Sequence, residues 1–197
     1  MLKRLKAQGF FRVIGLTGNI ASGKSHARAC LDELGVHTID ADACCHRAYN
    51  PGFGAYDLVI DAFGRGVVGP DGKIDRAALG QLVFNDAAAL KTLEEAVWPT
   101  ALELVEDELM AMLALSEFAE VSMELPRYRA SAGAPDSEVP YFKYPVGLVE
   151  AAVLLKAGWD AEVDEVWATS AQTDVVLARL ADRGLAPEEA QVVLFCF

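Results

Sequence analysis

The eight residues Gly18, Asn19, Ile20, Ala21, Ser22, Gly23, Lys24 and Ser25 constrain this chain more than any other stretch. They follow a short apolar run, Phe11 to Thr17, and open a run of helix formers from Lys24 to Leu34 that stops at Gly35. An apolar, partly β-branched run bounded by glycine reads as a buried strand, and a glycine after helix formers supplies a left-handed cap. G-x-x-x-x-G-K-[ST] between a strand and a helix is a device for holding phosphates. Its glycines let consecutive backbone N–H groups turn inward as an anion nest, and the helix adds the positive end of its dipole. In such a cradle Lys24 reaches the β- and γ-phosphates, and Ser25 places its hydroxyl on Mg²⁺. A glycine turn with a solvated lysine is the ordinary alternative, and the flanking strand and helix weigh against it.

Val36 to Asp40 reads as a second strand. A strand, a crossover helix and a strand require a parallel sheet with a right-handed connection, so the fold class is α/β. From Ala41 to Glu120 the pattern is helical, punctuated by Pro51-Gly52, Gly64 and the Gly69 to Gly72 turn. Asp75 and Asp86 stand at N-cap positions, and Pro99 predicts a kink or a break before Thr100 to about Ala119. So many helices between two strands predict an inserted helical subdomain. Residues 126–145 carry four prolines and read as a long loop. Val146 to Leu155 reads as a third strand running on into a short turn, and Val163 to Thr169 as the fourth strand. Thr173 to Asp182 reads as an amphipathic helix ending at Gly184, with another beginning at Pro187.

Composition narrows the function classes. Of 197 residues, 17 are basic and 29 acidic, a net charge of −12, which opposes sequence-independent nucleic-acid binding. With 53% hydrophobic and 23% charged residues the chain can bury a sizeable core, which excludes global disorder. No apolar run approaches the roughly 20 residues that span a bilayer, and none follows the basic N-terminus as a signal peptide would. No membrane or nucleic-acid partner is expected. Cys30, Cys44, Cys45 and Cys196 form no C-x-x-C pair, so reduced thiols in the cytoplasm are expected. His26, His37 and His46 have no metal-ligand spacing and read as packing or surface residues.

Asp40 and Asp42 end the second strand, where the carboxyl ends of parallel strands share one crevice with the cradle. One of them can accept the proton of an attacking hydroxyl while helping to hold Mg²⁺; Asp42 is favoured, because Asp40 can cap the following helix. Glu150 is either a metal-side carboxylate or a polar strand end. Arg47 and Arg76 are each either a grip for an anionic acceptor or a surface arginine.

The ordered strings IGLTGNIASGKS, LGVHTIDAD, HRAYNPG, DGKIDRAALGQLVF, LEEAVWP, VEAAVLLKAGWD and DEVWA resemble dephospho-coenzyme A kinase over about residues 12–190, interrupted by the loop. The resemblance implies a P-loop kinase: three αβα layers around a parallel sheet, a helical acceptor-binding insertion and a partial lid, in one domain over 1–197. Within it, 11–50 would be the nucleotide-binding core, 51–120 the acceptor-binding subdomain, 126–145 an insertion, 146–170 core strands and 171–197 the lid region. The implied reaction moves the γ-phosphate of ATP to the ribose 3′-hydroxyl of dephospho-coenzyme A, with Mg²⁺. Gly18 to Ser25 match the ATP cradle, with His26 beside it. Lys24 and Asp42 are implied as catalytic, Ser25 and Asp42 as metal-side, and Asp42, Arg47 and Arg76 as acceptor-binding.

Arg76 falls on the arginine of the D-R-x-x-L motif, and Arg179 and Arg183 fall near the lid helix, with Arg183 on the nucleotide. His26 departs from the usual threonine, and Lys156 stands where an acid is common. The family continues with a second lid arginine, a fifth strand and an adenine-walling segment, so a truncated lid is expected here. Two alternatives follow: a nucleotide-binding protein with little kinase activity, or another small-molecule P-loop kinase. A monomer or weak homo-oligomer is expected.

Overall fold

The computed structural model describes residues 12–84, 86–118, 146–186 and 189–191, with the backbone alone over 113–118. Strand β1 (Arg12–Gly18) is buried from Val13 to Thr17. That unbroken burial is what a strand covered on both faces demands. It pairs in parallel with β3 (Val146–Glu150) and β4 (Glu165–Thr169), and β3 pairs in parallel with β2 (His37–Asp40), giving the order β2-β3-β1-β4. All four carboxyl ends therefore emerge at one edge.

Neighbouring residues of a strand point to opposite faces, and two clusters follow that alternation. Ile14, Leu16 and Leu148 meet Ala27 and Leu31 of α1 (Lys24–Glu33) on one face. Val13, Ile39, Val149 and Leu154 join the larger core on the other. That core takes in α2 (Ala41–Ala48), α3 (Gly54–Phe63), α4 (Arg76–Val83) and α5 (Ala87–Phe118). Asp75 caps α4 by accepting from the N–H groups of Ala77 and Ala78, and Asp86 accepts from those of Ala88 and Ala89. A last cluster seats Val176 and Leu180 of α6 (Thr173–Asp182) on Ala21.

Two expectations change. Pro99 does not end its helix: α5 runs unbroken over 32 residues. The missing N–H costs one bond, but Val97, Ala101, Leu104, Val105 and Leu109 are all buried, and their packing outweighs that loss. The third strand ends at Glu150, where the expected turn begins. After Ala151 donates to the Leu16 carbonyl, the chain turns so that Leu154 packs under Gly15, where a Cβ would come within 2.7 Å of Leu154 Cδ2. Val163 precedes β4 instead of starting it, and is buried in the larger core. The loop expected at 126–145 and the start of a helix at Pro187 lie outside the described residues; 189–191 are helical.

Leu154 is wholly buried. Leu154→Ala removes its contacts with Gly15 and the core, and is expected to lower the free energy of unfolding by about 2–5 kcal/mol in urea denaturation.

Candidate active site

The loop that leaves β1 takes its shape from residues that tolerate left-handed backbone. Gly18 has φ 146°, and a Cβ there would overlap the carbonyl oxygen of Thr169. Gly23, φ 108°, sits at the N-cap of α1. Ala21 holds φ 55°, a strain of about 1 kcal/mol for a residue with a Cβ, and its side chain is buried against Val176 and Leu180. The loop closes on itself through Ser22, whose N–H and Oγ both donate to the Asn19 carbonyl, at 3.2 and 2.6 Å. Ser22 Oγ also lies 2.7 Å from Thr169 Oγ1, which ties the loop to the end of β4. Lys24 Nζ donates to the carbonyls of Gly18 (2.7 Å) and Asn19 (3.0 Å), so the ammonium arches over the loop.

Gly18→Ala is therefore expected to open the loop and weaken nucleotide binding by about 10²-fold in calorimetric titration, with the sheet intact by circular dichroism.

The acidic side grows from β2 and β3. Asp40 Oδ1 accepts from the Ala43 N–H at 3.0 Å, so it is the cap of α2 that its position suggested. Asp42 is left in the first turn of that helix, where the dipole favours an acid. Glu150 ends β3, is buried, and accepts the Ser25 hydroxyl at 2.9 Å through Oε1. Its Oε2 is ion-paired with Arg28 Nε at 2.6 Å, and Arg28 Nη2 also lies 3.5 Å from Asp40 Oδ2. Sequence patterns alone did not single out Arg28. Its signal was available: it stands four residues after Lys24, one turn along the same helix face.

Burial pushes the Asp42 carboxyl above its ordinary value, and the neighbouring charges of Asp40 and Glu150 push it further. Burial likewise lowers the Lys24 ammonium, opposed by Glu150 and Asp42.

These groups surround one cavity of about 1110 Å³, lined by residues 17–26 together with Asp42, Glu150, Lys156, Arg179 and Arg183 among others. The volume exceeds the roughly 300–1,000 Å³ of ordinary single-ligand clefts. Arg179 Nη1 donates to the Ala21 carbonyl at 2.8 Å, so α6 is anchored directly on the cradle. All of Gly18 to His26, Asp42 and Arg183 are thus brought together. Arg47 and Arg76 are not in the cavity wall. Arg47 pairs with Glu108 of α5, and Arg76 Nη2 meets His46 Nε2 at 2.6 Å. Lys156 lines the cavity while its ammonium lies 2.5 Å from Glu94 and over the ring of Trp98.

Among the described residues no group of three or more His, Cys, Asp or Glu is placed to hold a metal ion, and no helix is long and apolar enough to cross a membrane. Cys30, Cys44 and Cys45 are free thiols.

A glycine-bent cradle capped by a lysine, on a parallel sheet whose strands β2 and β3 end in carboxylates, defines the P-loop kinase class of fold. Within that class, the family model described as CoaE, dephospho-CoA kinase, matches residues 12–125, more than half of the chain. The chain belongs to the dephospho-CoA kinase family. It is 38% identical to the dephospho-CoA kinase of Symbiobacterium thermophilum over 91% of this chain and 64% of that one, so it spans somewhat under two thirds of that relative. It is 36% identical to the dephospho-CoA kinase of Geobacter sulfurreducens, covering 91% of this chain and 78% of the relative. The crystal structure of TT1252 from Thermus thermophilus superposes with a TM-score of 0.67 at 28% identity, over 95% of this chain and 80% of that one.

Proposed function

We propose that this chain transfers the γ-phosphoryl group of ATP to the ribose 3′-hydroxyl of dephospho-CoA, giving CoA and ADP, the last step of CoA biosynthesis. One observation carries the reading: Lys24 and Ser25 of the cradle share a cavity with Asp42. Backbone N–H groups of 18–25 hold the phosphates, and Lys24 neutralises charge on the β- and γ-oxygens as it moves toward the leaving group. Asp42 takes the acceptor hydroxyl proton as the oxygen attacks phosphorus. The bond between phosphorus and the β–γ bridging oxygen breaks, and its electron pair leaves with ADP. Little covalent work falls to the protein, so positioning and charge complementarity supply most of the acceleration.

The donors beside the cradle suit Mg²⁺. Ser25 Oγ and the carboxylates of Glu150 and Asp42 are hard oxygen ligands, and Mg²⁺ is ordinarily held by one or two protein oxygens plus substrate phosphates. Ser25 and Asp42 would hold it, with Glu150 behind Ser25. When bound, Mg²⁺ neutralises the charge that develops across the β- and γ-oxygens. Arg28 holds the Glu150 carboxylate oriented toward Ser25, and Arg179 holds α6 against the loop so that Arg183 can face the phosphates. The helical segment 51–120 is read as the acceptor-binding part, with Arg76 inside it and Arg47 just before it as anion contacts. The free thiols support a reducing, cytoplasmic setting.

The test is direct. The purified chain is incubated with Mg·ATP and dephospho-CoA, and CoA and ADP are separated by chromatography. Stoichiometric CoA and ADP are expected, with no product from shikimate, gluconate or nucleosides. ATP binding without turnover would overturn the reading.

A further inference from the structure

Asp42 and His46 are one helical turn apart on α2, so both side chains leave the same face. The contacts of His46 link α2 and its C-cap to α4. Its Nδ1 lies 2.6 Å from the hydroxyl of Tyr49, and the two rings meet edge to face. Its Nε2 lies 2.6 Å from Nη2 of Arg76, the first residue of α4.

The partners fix the proton. A guanidinium has only donors, so Nε2 accepts; the imidazole proton therefore sits on Nδ1 and is donated to the Tyr49 oxygen. Tyr49 is buried in the core, which anchors the chain. Arg76 gives up one of its five N–H donors to His46 and keeps four, still in the fork that suits phosphate.

We propose that His46 is a positioning residue for the acceptor: its neutral ring ties the Arg76 guanidinium to α2, one turn from Asp42, where it grips an anionic phosphate of the acceptor and sets the hydroxyl against the base. The inference rests on the kinase reading and on Arg76 as an acceptor contact. Loss of the ring frees Arg76 to swing with its own helix. Protonation of the ring removes the acceptor atom and sets one cation against another. The charged groups around His46 are Arg76 from α4 and Asp42 and Asp40 from the start of α2. Glu108 of α5 is engaged by Arg47 and Cys44.

Steady-state kinetics on the full chain test this. His46→Ala is expected to raise KM for dephospho-CoA about tenfold and leave KM for ATP within about twofold. His46→Gln, whose amide oxygen can accept from Arg76, should recover most of that loss. His46→Ala combined with Arg76→Ala should be no worse than Arg76→Ala alone. Multiplying losses, an unchanged KM for dephospho-CoA, or an equal rise in KM for ATP would overturn the proposal.

Absence of turnover in the unmodified chain would instead overturn the kinase reading. The positioning chain is then read from imidazole ¹⁵N shifts, with three histidines to assign. An Nδ1–H tautomer whose titration midpoint rises in Arg76→Ala supports it. An Nε2–H tautomer, or a midpoint that Arg76→Ala leaves in place, overturns it.

Discussion

Lys24→Ala is expected to lower kcat by about 10³-fold while leaving the chain folded, the size seen when one preorganised donor to a developing anion is removed. The ammonium lies 2.7 Å from the Gly18 carbonyl and 3.0 Å from the Asn19 carbonyl, so it is already aimed across the mouth of the cradle. Transfer spreads charge over the γ-oxygens and onto the leaving bridge oxygen, and a cation already desolvated gains more there than one in bulk water. Burial lowers the Lys24 pKa, with Glu150 and Asp42 acting against that shift, so the charged form is held by two carboxylates. Lys24→Arg should not restore the rate, because a planar fork cannot arch over a loop closed by Ser22. The check is single-turnover kinetics at saturating Mg·ATP beside a melting curve. A variant that keeps more than about a tenth of the native rate would contradict the role.

Much of this architecture was legible because two periodicities and a few caps agree with the tertiary fold. The run from Arg12 to Gly18 is apolar throughout its middle, and it is one of the two strands paired on both sides. Helix α6 begins and ends at Thr173 and Asp182 as its pattern and Gly184 predict. Asp75 and Asp86 cap as their positions predict. Pro99 misleads because local propensity sees a missing donor but not the buried face of α5 that outweighs it. In the site, the cradle could be read because its chemistry is local: consecutive amides, two glycines and a lysine within eight residues.

Arg28 and His46 could not be read that way. Four-residue spacings put them on the faces of Lys24 and Asp42, but their partners, Glu150 on β3 and Arg76 on α4, are distant in the chain. Arg47 is five residues past Asp42, about 140° round the helix, and faces α5, where it pairs with Glu108, another partner distant in the chain.

Asp42→Asn is expected to lower kcat by about 10²–10⁴-fold and, in the same protein, to raise its melting temperature. The amide keeps the shape of the carboxylate but cannot take the acceptor proton, so the loss falls on kcat more than on KM. The stability gain follows from the sign of the titration. Burial, Asp40 and Glu150 raise the Asp42 pKa in the folded chain. A carboxyl whose folded pKa lies above its unfolded one destabilises the fold wherever it is ionised, and that cost disappears as pH falls through the folded value. At neutral pH the native chain therefore bears a cost that the Asp42→Asn variant does not, and the difference in melting temperature should shrink on acidification.

The same shift governs turnover. Only the ionised form accepts a proton, so the acid limb of kcat/KM, measured with both substrates below saturation, should lie above the ordinary aspartate value of 3.8. Loss of rate without gain of stability would show that Asp42 is held by a favourable partner instead. The gain without the loss would place the proton acceptor elsewhere. Both changes together mean that the fold tolerates three crowded acids, at positions 40, 42 and 150, because one of them must be basic enough to take a proton from an alcohol.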